Sequence, residues 1–330
     1  MEILYIPSCG FGDVSFSTTW PKILAERGHT IDVFLRRYTG NPFHANPYIR
    51  NMFIVLDREI KEAIEKIKAT IESHSYDMII IPNTICFGTK EMVEAIRNYK
   101  NVYIPFFDQQ PECVKQMSNI LGFNILVWTK PEWYFTNQEL KYITDKNLKN
   151  HIIFYPMSSD FFELSRNISF NLIEKCSNAF NNIVITHGGG SYLPINDLKR
   201  IEGNGKIKLL WEDYNCFKDE YGHPLGKQLA LTSECMVSVH GWSGSFTISM
   251  GYNKPYVVVV PTDKIRCNAL TPYLDTAPLF IAQINRARNY GCLNPSAWCI
   301  TEDENIIEEA IRLVLDGKTA IYNKTCEFIS

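Results

Sequence analysis

Two short stretches of this chain concentrate the residue types that handle phosphate groups and protons. The first is His240-Gly241-Trp242-Ser243-Gly244-Ser245. It follows an apolar run over 236–239 that reads as a strand, and it precedes a helical pattern over 245–252 and a second buried run, 256–260. Strand, loop, helix and strand make the parallel βαβ unit. Its first loop places free backbone N–H groups and a positive helix end at the carboxyl edge of the sheet. Gly241, Ser243, Gly244 and Ser245 are small enough to let a phosphate reach the backbone, and the serines add hydroxyl donors. The same composition also suits a tight turn that needs φ > 0 and binds nothing. The second stretch is Gly10-Phe11-Gly12-Asp13, which follows the apolar run 3–7. Asp13 has two readings. As a helix N-cap it contributes about 0.5–2 kcal/mol and needs no other role. As a carboxylate at the carboxyl edge of the first strand it can act as a general base. The Gly-x-Gly pattern hints at a dinucleotide site, but Ser15 stands where the third glycine belongs and no acid closes the second strand.

Regular elements must hold these stretches in place. The runs 3–7, 30–35, 76–82 and 101–107 predict strands, and 46–57 reads as a loop leading into another strand. Between them, helical spacing is clearest in isoleucines 60, 64, 67 and 71, with further helices over 90–99 and 111–121. Residues 136–150 are polar and lysine-rich, the expected interdomain linker. The pattern restarts with the strand 151–156, the loop 157–166 and a helix over 169–180. Next comes NIVITHGGGS, a strand ending in His187-Gly188-Gly189 with its backbone laid bare. A strand over 206–211, a helix over 225–233 and a terminal amphipathic helix over 302–316 complete the series. Regular β/α alternation predicts parallel, doubly wound sheets, and two successive series predict two domains, 1–150 and 151–330.

Composition excludes several classes. The 330 residues are 45% hydrophobic and carry a net charge of −3, with no basic run to serve as a nucleic-acid footprint. No apolar run approaches the roughly 20 residues that span a bilayer, and the N-terminus lacks the pattern of a signal peptide. Peripheral membrane association stays open. The ten cysteines show no CxxC spacing and read as reduced packing residues of a cytoplasmic protein. The seven histidines show no metal-ligand spacing, and no DxD motif is present, so no metal and no cofactor is expected.

Segment by segment and in order, the chain resembles the heptosyltransferase-like glycosyltransferases, family 9. GDVSFSTTWPKILAERGHTIDVFL is similar to that family's opening Gly-Asp-Val, helix, turn and second strand. NPYIRNMFIVLDR, YDMIIIP, QQPECVKQMSNILGFN, HIIFYPMSSDFFELSRNIS and NIVITHGGGS resemble its later segments. The stretch 233–263 corresponds to its nucleotide-sugar loop, helix and last buried strand. The resemblance implies the GT-B fold, two Rossmann-like domains facing across a cleft. The first would bind the acceptor and the second the nucleotide sugar, with the terminal segment 303–330 crossing back to the first. It assigns Asp13 as the base that activates an acceptor hydroxyl in an inverting transfer. Gly10, Gly12, Ser158, Ser159, Arg166, His187, Gly188, Gly189 and the stretch 240–245 become donor-binding candidates, with Arg166 a clamp on the diphosphate. The nucleotide-diphosphate sugar is a co-substrate, and the partner is a glycan or another hydroxyl acceptor. Phe106, Phe107, Trp128, Trp133 and Tyr134 could line the acceptor cleft.

One departure matters. Where the family shows Asp-Thr-Gly, this chain reads His240-Gly241-Trp242-Ser243-Gly244, without an acid. His240 and Trp242 there could meet a ribose, a sugar or a phosphate, or simply complete the turn. The loss motivates a second reading, a non-catalytic GT-B protein that binds a nucleotide or glycan. A nucleotide-sugar epimerase on the same fold is a third.

Overall fold

A computed structural model describes residues 1–7, 14–15, 17–36, 41–55, 60–82, 89–105, 111–122, 130–156, 168–188, 195–203, 205, 207–212, 220–241, 244–260, 294–301, 303–323 and 325–328. They form two compact units, Met1–Tyr134 and Phe135–Ser330, each with its own sheet.

The first unit runs β1 (Glu2–Tyr5), α1 (Trp20–Ala25), β2 (Thr30–Arg36), β3 (Asn51–Val55), α2 (Ile60–Ser73), β4 (Met78–Ile80), α3 (Thr89–Ile96), β5 (Val102–Tyr103) and α4 (Pro111–Leu121). Its strands lie in the order β3-β2-β1-β4-β5, all parallel. Period-two alternation explains the layering, because it sends apolar residues to both faces of each strand. Ile3, Tyr5, Val33, Leu35 and Ile80 pack with Trp20, Leu24 and Met117, while Leu4, Ile6, Phe34 and Ile79 pack with Ala63, Ile67 and Ile96. The segment NPYIRN joins this sheet structurally. Asn46 closes a turn by accepting from the Tyr48 N–H (3.0 Å), and Arg50 grips the buried Asp32 through both carboxylate oxygens (3.0 and 2.8 Å).

The second unit runs α5 (Asn137–Asp145), β6 (Ile152–Tyr155), α6 (Phe170–Ala179), β7 (Ile183–Gly188), α7 (Ile195–Glu202), β8 (Ile207–Glu212), α8 (Pro224–Glu234), β9 (Val237–Gly241), α9 (Phe246–Gly251), β10 (Tyr256–Val259), β11 (Ser296–Ile300), α10 (Glu304–Leu315), β12 (Ala320–Asn323) and β13 (Thr325–Phe328). Its sheet has the order β13-β12-β11-β10-β9-β6-β7-β8, parallel except for the closing β12–β13 pair. One face carries the large apolar core, from Ile152, Phe154, Val237, Val239 and Val257 to Ile307 and Ile311 of α10.

Three features depart from the sequence reading. The segment expected to be a linker contains α5, started by a capping box: the Glu139 N–H donates to Thr136 Oγ1, and Glu139 Oε2 accepts from the Thr136 N–H at 2.7 Å. Its Ile143 joins a core with Ile153, Tyr155, Ala230 and Leu231, so the division between units falls at 134/135 and not at 150/151. The described residues of the terminal segment, 303–323 and 325–328, belong to the second unit. Ile307, Ala310, Ile311 and Val314 form an apolar stripe that must be buried, and β12 extends the sheet beside β11. Third, α8 is buried along nine consecutive residues, 224–232, because the sheet covers one side and α5 packs against it too.

Candidate functional site

In both sheets the chain builds outward one way and then returns to build the other way. The reversal lies between β1 and β4 in the first sheet and between β6 and β9 in the second. In open α/β sheets, ligands bind outside the carboxyl ends of the strands at this switch point. The two chemistry-bearing stretches of the sequence both follow a switch-point strand: 8–13 follows β1, and 242–245 follows β9.

The second of these is described in detail. Strand β9 continues two residues past the expected end, so His240 and Gly241 belong to the strand, in register with Val258 and Val259 of β10. Alternation puts Val237 and Val239 into the apolar core, and Ser238 and His240 onto the opposite face. There the His240 ring is 0% exposed and lies flat on Tyr155 of β6, with centroids 4.7 Å apart and planes 6° from parallel. Its Nδ1 is 2.9 Å from Ser245 Oγ. Its Nε2 is 2.8 Å from Ser238 Oγ and 3.0 Å from Ser249 Oγ. Burial pushes the imidazole down to about 3, so the ring is neutral. Tyr155 is anchored in turn by its hydroxyl, 2.5 Å from Thr232 Oγ1 of α8.

Ser245 sits at the start of α9 in helical conformation and makes no side-chain cap there. Gly244 binds the same turn together through its carbonyl, which accepts from the Thr247 N–H (3.2 Å) and hydroxyl (2.6 Å). Both residues are partly exposed, whereas Ser238 and Ser249 are fully buried. His187 and Gly188 close β7, in register with Trp211 and Glu212 of β8. Asp13, Gly10, Gly12, Ser158, Ser159, Arg166, Gly189, Trp242 and Ser243 lie outside the described residues. Of the aromatic candidates, Trp133 is buried, and the Tyr134 hydroxyl donates to Glu132 Oε2 at 3.3 Å. Phe106, Phe107 and Trp128 fall outside the described residues.

The structure thus brings His240, Gly241, Gly244 and Ser245 together at one strand end. It adds Ser238, Ser249, Tyr155 and Thr232, which the sequence reading did not single out. Their signal is positional. Ser238 and His240 alternate onto one strand face, and Ser245 and Ser249 are four apart on one helix face.

Compared with solved structures, the chain is similar over most of its length to a family 9 glycosyl transferase and to heptosyltransferases. It matches the glycosyl transferase family 9 structure from Veillonella parvula DSM 2008 at a TM-score of 0.56 and 13% identity, over 95% of this chain and 97% of that one. E. coli ADP-heptose lps heptosyltransferase II matches at 0.54 and 15% identity, over 80% and 86%. An E. coli heptosyltransferase with ADP-2-deoxy-2-fluoro heptose matches at 0.54 and 14%, over 78% and 88%. This is the GT-B fold. No protein-family model and no curated protein sequence matches the chain. Within the GT-B fold, the strand order 3-2-1-4-5 recurs in both units, counting β6 as the first strand of the second. No described helix is long and apolar enough to cross a membrane.

Proposed function

We propose that this GT-B chain is an inverting glycosyltransferase that moves a sugar from a nucleotide-diphosphate donor to an acceptor hydroxyl without a metal. The observation that carries the reading is the second sheet's switch point. A strand there ends in small residues, Gly241, Gly244 and Ser245, on a fold similar to heptosyltransferases. In the proposed step, Asp13 accepts the acceptor's hydroxyl proton as the acceptor oxygen bonds to the anomeric carbon. The bond from that carbon to the diphosphate oxygen breaks on the opposite face, and the nucleoside diphosphate departs with the electron pair. Arg166 and the N–H groups at the helix starting near Ser245 stabilise the leaving charge. Ser158, Ser159, His187, Gly188 and Gly189 complete the donor side, and the acceptor is a glycan or another hydroxyl compound.

The test incubates the purified protein with ADP-, UDP- and GDP-sugars and a panel of sugar acceptors, and follows nucleoside diphosphate release. Release that requires an acceptor, with a product of inverted configuration, is the expected result. One observation favours a second reading, binding without turnover: where the resembled family shows an acid, β9 carries His240, a buried imidazole with both ring nitrogens beside serines of the chain. Tight nucleotide binding with no release for any donor and acceptor pair would select it. Conversion of the donor without an added acceptor would point to an epimerase or a hydrolase.

A further inference from the structure

The face of the second sheet that meets α8 changes character along its strands. Toward the amino edge it is apolar, with Ile153, Val184 and Leu231 packed in one core. Toward the carboxyl edge it turns polar, through Ser238 and His240 of β9, the Tyr155 hydroxyl of β6 and Thr186 of β7. These groups are paired within the chain. Ser238 meets His240 and Ser249, the Tyr155 hydroxyl meets Thr232, and Thr186 Oγ1 donates to the Phe154 carbonyl at 3.2 Å. Gln228 of α8 is different. It is 3% exposed, and its Nε2 finds no hydrogen-bond partner among the described residues.

Helix geometry places that carboxamide. Helix α8 joins β8 to β9, and both strands belong to the parallel part of the sheet, so it runs back from the carboxyl edge to the amino edge. Thr232 meets the Tyr155 hydroxyl at 2.5 Å, which turns this side of α8 toward the end of β6. Gln228 is four residues earlier, on the same side and one turn nearer the carboxyl edge, and helical side chains lean further toward the helix N-terminus. The carboxamide therefore reaches the carboxyl edge beside Tyr155, next to the β6–β9 switch point. A buried polar group left unpaired costs stability. Packing alone does not account for a glutamine where a methionine of similar length would fill the space.

We propose that Gln228 is a ligand-binding residue whose carboxamide hydrogen-bonds a hydroxyl of the sugar-nucleotide donor. The inference rests on the donor-binding reading above. The carboxamide is uncharged, and a hydroxyl both donates and accepts, so it satisfies the amide in either orientation. The donor carries such hydroxyls on its ribose and on the sugar it gives up.

The test replaces Gln228 by methionine in the full chain. Circular dichroism follows thermal unfolding without ligand, and calorimetry measures affinity for ADP, UDP and GDP and for the corresponding glucose nucleotides. The ligand-free melting temperature should hold or rise, because the change removes an unpaired polar group. Affinity for the ligand that binds best should fall roughly 5- to 50-fold, the cost of leaving a buried hydroxyl unpaired. A fall for the diphosphate that disappears with its 2′-deoxy or 3′-deoxy form assigns the ribose, and a fall for the glucose nucleotide alone assigns the sugar. Either supports the inference. Affinities equal to the parent's for every ligand overturn it, as does a fall that persists with both deoxy forms. A marked drop in the melting temperature of both Gln228→Met and the smaller Gln228→Leu would assign the residue to packing, and overturns it too. A parent that binds none of these ligands overturns the donor-binding reading, and this inference with it.

Discussion

A carboxylate serves as a base only while its lone pairs are not already claimed, and two acids of the first unit fail that test. Burial pushes Asp32 up, but Arg50, the Tyr76 hydroxyl (2.9 Å) and the Asn51 N–H (3.1 Å) outweigh burial and hold it below the usual carboxylate range. Glu132 accepts from Lys22 at 2.9 Å and from Tyr134. Asp13 stays the proposed base on the strength of its place after β1. Asp13→Asn keeps size and capping ability while removing basicity. Turnover should fall roughly 10²- to 10⁴-fold, with melting temperature and donor affinity nearly unchanged. A lowered melting temperature with an intact rate would make Asp13 a helix cap and nothing more. At this scale the sequence was partly readable. Asp13 lies outside the described residues and stays a proposal, while glycines after an apolar run mark a strand end, so the place of the 240–245 stretch after β9 could be read. Ser238 and Ser249 could not, because a serine on a half-buried strand or helix face looks the same whether it meets water or an imidazole.

Among the elements, α8 shows how a small residue can decide packing. Gly222 has φ +95°, and a Cβ there would come within 2.8 Å of the Glu139 side chain; a Cβ on Gly226 would overlap the Glu139 carboxylate itself. That carboxylate is buried and bridges two helix starts, accepting from the Thr136 N–H of α5 and from the His223 N–H (3.0 Å) at the cap of α8. Gly226→Ala should therefore destabilise the second unit by about 1–3 kcal/mol, the usual cost of overpacking, although alanine is the better helix former. Chemical denaturation followed by far-ultraviolet circular dichroism measures it, and an unchanged or raised midpoint would show that Glu139 can move aside. The strands and helices of the first series, and those of the second as far as β10, were mostly legible from their periodicity, whereas α7, β11, β12 and β13 were not foreseen. Helix α5 was not, because only a few apolar positions, such as Leu140 and Ile143, interrupt a polar run. The Thr136 and Glu139 capping box was the available signal.

For the whole molecule, each unit has its own core, and among the described residues the fully buried histidines, His151 and His240, belong to the second. Burial lowers His151 to about 4 and His240 to about 3, and both belong to the second unit. An imidazole whose folded value lies below its unfolded one adds stability above about pH 6.5, and that stability is lost as pH falls toward the folded value. Each histidine then costs stability as pH falls through this window. Between about pH 6.5 and 4 the second unit should weaken more than the first, where His29 is also lowered by burial and by the charges of the N-terminus and Arg27 but stays partly exposed, and where Asp32 is depressed below the carboxylate range. Hydrogen exchange read unit by unit across that range tests this, and parallel loss in both units would contradict it. Two β/α series in the sequence were enough to foresee two such units. Where one ended was not legible, since α5 owes its place to contacts with α8 that no local pattern encodes. That helix has a further consequence, for how the protein tolerates change. A helix enclosed on every side has no permissive position, so residues 224–232 have nowhere to drift. A survey of all single substitutions, scored by activity in cells, should mark this helix as intolerant as the 240–245 turn. Sensitivity alone would thus point to a second active site in a segment whose intolerance comes mostly from its burial.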